Sequence, residues 1–224
     1  MNYLKLIPIV LLMVLVSCQG AEKETAASEP FCKDTACLSE TLRYDSPAPG
    51  KPFVTISFKN CKIDNIHWEK GGKGVIKDIL FSEYIPNDVK PSKEALSCTI
   101  VDGKYAWIRF NDCATGRGYV IRLPFDSDGT TSKFTSALNN FDPKFKISDD
   151  LVAYYDNTFI YVQDTKTGDI AQQLLTDTGV KSINYNDVHS LIEEVNITKD
   201  SIYAKLKVDN KVIEHHKPLT FEKQ

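Results

Sequence analysis

The sequence predicts a mainly β protein of antiparallel sheets, on three observations. Short runs of alternating apolar and polar residues recur along most of the chain. Gly, Asp and Asn bound those runs, as turns between strands require. Valine, isoleucine and aromatic residues, which suit a pleated half-buried surface, concentrate inside them.

Taken in order, strands are expected at residues 53–58, 63–68, 75–81, 98–101, 105–110, 119–123, 151–155, 159–163 and 170–174. A terminal hairpin follows at 201–208 and 212–216, turning on Asp209-Asn210. Residues 46–52 hold Pro47, Pro49 and Pro52 and read as a stiff linker or turn. Residues 83–96 carry Pro86 and Pro91 and read as a loop with one helical turn. Phe134, Ala137, Leu138 and Phe141 fall at helical spacing and predict a short helix over 131–141. Asn186-Asp187 predicts the cap of a helical turn running to Ile192.

The first residues have a different composition. Lys5 gives a positive start, and an apolar run of about eleven residues follows, too short for a bilayer span of roughly twenty. The run ends in Leu15-Val16-Ser17-Cys18. This resembles the lipobox of bacterial lipoproteins, in which the cysteine is acylated and becomes the mature N-terminus. The resemblance implies a cleaved signal peptide over 1–17 and lipidation of Cys18. Past the cysteine the residues are small and charged, so 18–30 reads as a lipidated N-terminus and flexible tether, and the strand pattern makes 31–224 a single β-rich domain. Gln19, where Asp would favour inner-membrane retention, implies a cell-envelope protein of the outer membrane. Glu22 and Glu24 are similar to the acidic export marks of Bacteroidota lipoproteins, but Lys23 interrupts them, so periplasmic and surface orientations stay open. Asp34-Thr35-Ala36 and Asp200-Ser201-Ile202 resemble the O-glycan acceptor triplets of that group.

Six cysteines are present, and lipidation of Cys18 leaves five. Five thiols in an oxidising compartment allow at most two bridges. Cys32 and Cys37 are the expected pair, since a turn can bring their Cα atoms within about 4.4–6.8 Å. A second bridge among Cys61, Cys98 and Cys113 is left unassigned. Net charge is −3 with no dense basic patch, which argues against a nucleic-acid partner.

A spaced repeat is visible. Asp102, Asp150 and Asp200 each precede a strand, 48 and 50 residues apart. The segment from Asp149 through Phe159-Ile160-Tyr161-Val162-Gln163-Asp164 to Thr167-Gly168-Asp169 is similar to the blade repeats of pyrroloquinoline-quinone-type β-propellers. That resemblance implies a propeller-like or partial-propeller architecture. A β-sandwich with shared turn chemistry is the alternative, and no cofactor follows from the match.

Chemical signatures are few. His67, His189, His215 and His216 show no zinc-binding spacing, so no metal is expected. Asp126-Ser127-Asp128-Gly129 begins like a calcium loop but lacks the later acidic ligands, which favours a plain turn. Gly71-Gly72-Lys73-Gly74 lacks phosphate-loop spacing, and no Gly-x-Ser-x-Gly elbow occurs, so no catalytic residue is assigned. The aromatic residues are the remaining lead. Trp107, Tyr119, Tyr154 and Tyr161 are the binding candidates, with core packing as the competing role. The expected function is a non-enzymatic, membrane-tethered binding or scaffold module for another envelope protein or a glycan. An envelope hydrolase or redox protein, and a purely structural lipoprotein, are the alternatives.

Overall fold

The computed structural model describes residues 31–34, 36–72, 74–156, 158–181 and 190–223. Cys18, the tether, Thr35, His189 and the Asn186-Asp187 cap lie outside the described residues. The described chain is mainly β, in antiparallel sheets, as the alternation predicts.

The first sheet is a four-stranded meander of β1 (Leu42–Asp45), β2 (Phe53–Lys59), β3 (Lys62–Lys70) and β4 (Val75–Leu80). The β2–β3 turn is Asn60-Cys61, both left-handed (φ 53° and 63°), the geometry that follows the twist of the paired strands. A one-turn helix, α1 (Phe81–Tyr84), begins the proline-bearing loop.

The second sheet collects β5 (Leu96–Val101), β6 (Tyr105–Asn111), β7 (Gly118–Pro124) and β8 (Ser132–Leu138). Next in the chain, β9 (Phe145–Ile147) leaves for the third sheet. Then β10 (Leu151–Asp156), β11 (Phe159–Asp164) and β12 (Ile170–Leu174) complete the second sheet. Its seven strands run in the order β12-β11-β10-β8-β7-β6-β5. The third sheet is β13 (Ile192–Ile197), β14 (Ser201–Val208) and β15 (Lys211–Pro218), with β9 parallel beside β13.

The helix expected over 131–141 is a strand instead, β8, and a β-bulge explains the error. Gly118 pairs with Ala137, whereas Val120 pairs with Phe134, so β8 carries one extra residue between the two pairs. The bulge turns Phe134 and Ala137 to the same face while Leu138 packs in the core on the other side. Three-residue spacing therefore arises on a strand and mimics a helix. Gly118 is required there, since a Cβ would lie 2.3 Å from the Ala137 carbonyl oxygen.

The seven-stranded sheet is bent sharply. Four strand spacings separate β6 from β11, about 19 Å across a flat sheet. Yet Trp107 on β6 donates from Nε1 to the Thr165 carbonyl at the end of β11, at 3.3 Å. Arg109 likewise reaches from β6 to the Leu151 carbonyl on β10, at 3.3 Å. The crease falls between β8 and β10, which share only two paired residues, Leu138 with Ala153 and Ala137 with Tyr154. Ser136, in the bulge, donates to the Tyr155 carbonyl across that crease.

Bending yields a stack of four layers: the first sheet, the β5–β8 half, the β10–β12 half and the third sheet. Apolar residues fill the space within each outer pair of layers. Trp68, Ile66, Phe110 and Leu123 pack between the first two layers. Leu151, Ile160, Val195 and Leu206 pack between the last two. Each such fully buried side chain contributes about 1.5–3 kcal/mol. Both the partial-propeller and the sandwich expectations are compatible with this stacking.

The repeat has a different register from the one the aspartates suggest. Asp112-Cys113-Ala114-Thr115-Gly116 closes β6–β7, and Asp164-Thr165-Lys166-Thr167-Gly168 closes β11–β12, 52 residues later. The two turns share their hydrogen bonds. Each aspartate carboxylate accepts from the threonine N–H, at 3.0 Å in both turns. Each glycine N–H returns to the aspartate carbonyl, at 2.8 and 2.9 Å. The preceding Asn111 or Gln163 amide donates to the glycine carbonyl, at 2.9 and 3.0 Å. Gly116 and Gly168 sit at φ 74° and 83°, where a side chain is strained. By these turns β6 corresponds to β11, whereas the Asp102–Asp150 spacing had aligned it with β10.

The expected Cys32–Cys37 bridge is also corrected. Cys32 is joined to Cys113 and Cys37 to Cys61, with Cα separations of 4.8 and 4.7 Å, and Cys98 is free. The 31–40 strap passes the β6–β7 turn and then the β2–β3 turn, and each cysteine meets the turn beside it. The unassigned second bridge is thus not among Cys61, Cys98 and Cys113. Phe31 extends the anchorage, donating its N–H to the Cys113 carbonyl at 2.9 Å.

Candidate functional site

The space between the two halves of the bent sheet is filled far less completely than its neighbours. Only Trp107, Val120, Ala137 and Val152 form its buried cluster among the described residues. Two cavities flank them on the same sheet face, of about 410 Å³ and about 380 Å³. Both fall in the range of small-ligand sites, roughly 300–1,000 Å³.

Strand alternation decides which side chains enter this cleft. On β6 and β7, Ala106, Ile108, Tyr119 and Ile121 turn toward the first sheet, so Trp107, Val120 and Arg122 turn toward the cleft. On β10 and β11, Ala153 and Val162 face the third sheet, which leaves Tyr154 and Tyr161 on the cleft side. The bulge in β8 adds Phe134 to that face.

The aromatic rings form a ladder across three strands. Phe134 stacks on Tyr154 with centroids 3.9 Å apart and planes 20° from parallel. Tyr154 stacks on Tyr161 at 5.2 Å and 13°. Each such pair contributes about 0.5–1.5 kcal/mol beyond its buried area. All three rings are half-buried, whereas Trp107 is 1% exposed and forms the floor. The Tyr161 hydroxyl donates to Asp156 at 3.2 Å, which fixes the outer ring. Burial, reinforced by Tyr161 and Asp156 nearby, pushes the Tyr154 hydroxyl up to about 12, against the pull of Arg122. Tyr154 is therefore a neutral hydrogen-bonding group throughout the ordinary pH range.

Arg122 is the one charged side chain among the described residues that line the 410 Å³ cavity. Its guanidinium lies 5.1 Å from the Tyr105 ring centroid and 6.0 Å from that of Trp107. Its Nη2 meets the Ser132 hydroxyl at 3.4 Å, while its Nε is buried with no hydrogen-bond partner. The wall opposite is the Asp164–Gly168 turn, which presents Thr165, Thr167 and Gly168. Burial would raise the Asp164 carboxyl, but Lys199 at 2.9 Å and the backbone N–H groups of Thr167 and Lys166 outweigh it and hold it low. A charged Asp164 keeps that turn in place.

Of the four aromatic candidates, the structure brings Trp107, Tyr154 and Tyr161 to one cleft. Tyr119 is not there. It is 2% exposed and stacks on Phe110 at 5.1 Å in the core beneath the first sheet, because it shares strand parity with Ile121 and Leu123. Sequence reasoning missed Arg122 and Phe134. An arginine at the centre of the apolar run Tyr-Val-Ile-Arg-Leu-Pro-Phe was the available signal for the first.

The other motifs are structural. Lys77 donates to the carbonyls of Asp126 and Gly129, at 3.2 Å each, so an ammonium sits where a calcium loop would hold its ion. Gly71-Gly72 turns the β3–β4 hairpin. His67 bonds Asp78 at 3.0 Å on the first sheet, outside the cleft. Burial pushes the Cys98 thiol up to about 12, against the pull of Arg109, and a protonated thiol is a poor nucleophile. Among the described residues no group of three or more His, Cys, Asp or Glu is placed to hold a metal ion. No family model, curated protein or solved structure matches the chain.

Proposed function

We propose that the chain is a lipid-anchored cell-envelope binding module and that a glycan occupies the cleft between the two halves of the bent sheet. The observation that carries this reading is the partly buried ladder of Phe134, Tyr154 and Tyr161 over the Trp107 floor. Because the rings stack on one another they turn their edges to the cleft, an apolar wall against which the C–H face of a sugar ring can pack, and the Thr167 and Ser132 hydroxyls beside them can exchange hydrogen bonds with sugar hydroxyls. The ligand would meet a sheet face rather than a sheet edge, which suits side-chain recognition better than addition of a peptide strand. Tethering by Cys18 would hold this cleft near the membrane and raise its effective concentration for envelope glycans.

The experiment is capture on an array of neutral and acidic oligosaccharides, followed by calorimetry on the bound species. Tyr154→Ala removes the middle ring of the ladder and is expected to weaken binding by about tenfold or more. No capture by the wild-type protein, or capture unchanged in Tyr154→Ala, overturns the reading.

A further inference from the structure

Arg122 is poorly served by its own protein. It lies between β6 and β8 on a sheet face, with an unpartnered buried Nε and one long hydrogen bond to Ser132. No carboxylate stands within 4.0 Å of it among the described residues, and the cavity it lines has no acidic side chain. Desolvating a guanidinium without a counter-charge is costly, and an anion delivered by a ligand would offset that cost. The planar fork of arginine pairs with a carboxylate in bidentate fashion, which a neutral hydroxyl cannot match.

The second cavity sharpens the choice of site. It holds Arg109, whose two terminal nitrogens already bond Thr99 and the Leu151 carbonyl, and Asp149 lines the same space. Its charge is answered from within the protein. Among the described residues, the Arg122 cavity joins stacked rings and hydroxyl groups to a guanidinium whose Nε has no hydrogen-bond partner and which no carboxylate faces.

We infer that the cleft is selective for an acidic saccharide, whose ring packs against the edges of Phe134 and Tyr154 while its carboxylate meets Arg122. The inference rests on the glycan reading above and specifies its charge. Charge complementarity selects this ligand over a neutral sugar, and a site on a sheet face, with the Ser132 and Thr167 hydroxyls in place of a strand edge to pair, selects it over an acidic peptide.

Calorimetry on the full mature chain with oligogalacturonate and matched neutral oligogalactose tests it. The acidic oligomer is expected to bind at least about tenfold more tightly than the neutral one, the worth of a charge-assisted hydrogen bond. That preference should shrink on raising salt from about 0.05 to about 0.5 M, because screening weakens a partly exposed pair. Arg122→Gln should abolish the preference and retain the weaker neutral binding. Arg122→Lys, which keeps the charge without the fork, should retain part of it and guards against a folding defect in the first variant. Equal affinity for both oligomers overturns the acidic selectivity and leaves the glycan reading standing. Binding of neither overturns both. A poly-glutamate peptide bound as tightly as oligogalacturonate, with the same Arg122 dependence, overturns the saccharide in favour of an acidic peptide.

Discussion

Single residues in this protein show what strand parity does to a side chain's role. Tyr119 and Val120 are neighbours, yet one stacks on Phe110 in a core and the other floors the cleft. His215 is a parallel case on β15. It is 3% exposed, its Nε2 has no partner, and burial holds its basicity below the ordinary 6.5. Asp177, 4.0 Å away, favours the charged ring, and Lys217 on the same strand opposes it. The unfolded chain therefore binds a proton that the folded chain refuses. The contribution to stability is complete above about pH 6.5 and is lost as pH falls through the lower folded value. Urea unfolding between about pH 7.5 and about pH 5 should show the midpoint dropping with acid, and His215→Gln should drop less. Equal drops in both proteins would remove His215 as the cause.

At the scale of elements, most strands were legible because alternation and turn residues reported the same boundaries. The terminal hairpin was read almost to the residue, since Asp209-Asn210 supplies two left-handed positions. Strand β8 was misread for the reason its bulge supplies: an inserted residue gives a strand the spacing of a helix. The strands β1, β9 and β13 went unseen. β9 has three residues, too few for a period to register, and pairs in parallel with a segment far along the chain. The cysteine strap failed for a related reason, because loop length favours near neighbours while spatial proximity is set by which turns share one end of the sheets. Once closed, the observed bridges restrict the unfolded chain more than a local bridge would. Cysteines 81 and 24 residues apart give about 4.5 and about 3.5 kcal/mol, against about 2 for the local loop. Replacing Cys32 and Cys113 together by serine should lower stability by about 2–4 kcal/mol in denaturant unfolding under oxidising conditions. A loss below about 0.5 kcal/mol would mean the strap does not fasten the sheets.

For the molecule as a whole, the layer arrangement was legible in outline and its bend was not. Turn motifs betray repetition, but nothing local encodes that β8 and β10 share only two paired residues and so fold the sheet on itself. The cleft follows from that crease, which is why three aromatic candidates could be named without knowing that they would meet. The proposed membrane tether also belongs to this scale. Cys18→Ala should move the protein from the membrane to the soluble fraction on cell fractionation, and unchanged retention would reject the anchor. The strap has one more consequence, in time rather than space. A chain made from its N-terminus presents Cys32 and Cys37 to an oxidant before Cys61 or Cys113 has emerged. With Cys18 acylated as proposed, each could then pair only with the other, and a bridge so formed would have to be exchanged before the native pairs close. The order in which the thiols arrive thus sets a kinetic competitor against the final pairing, a bridge that thiol–disulfide exchange would have to resolve.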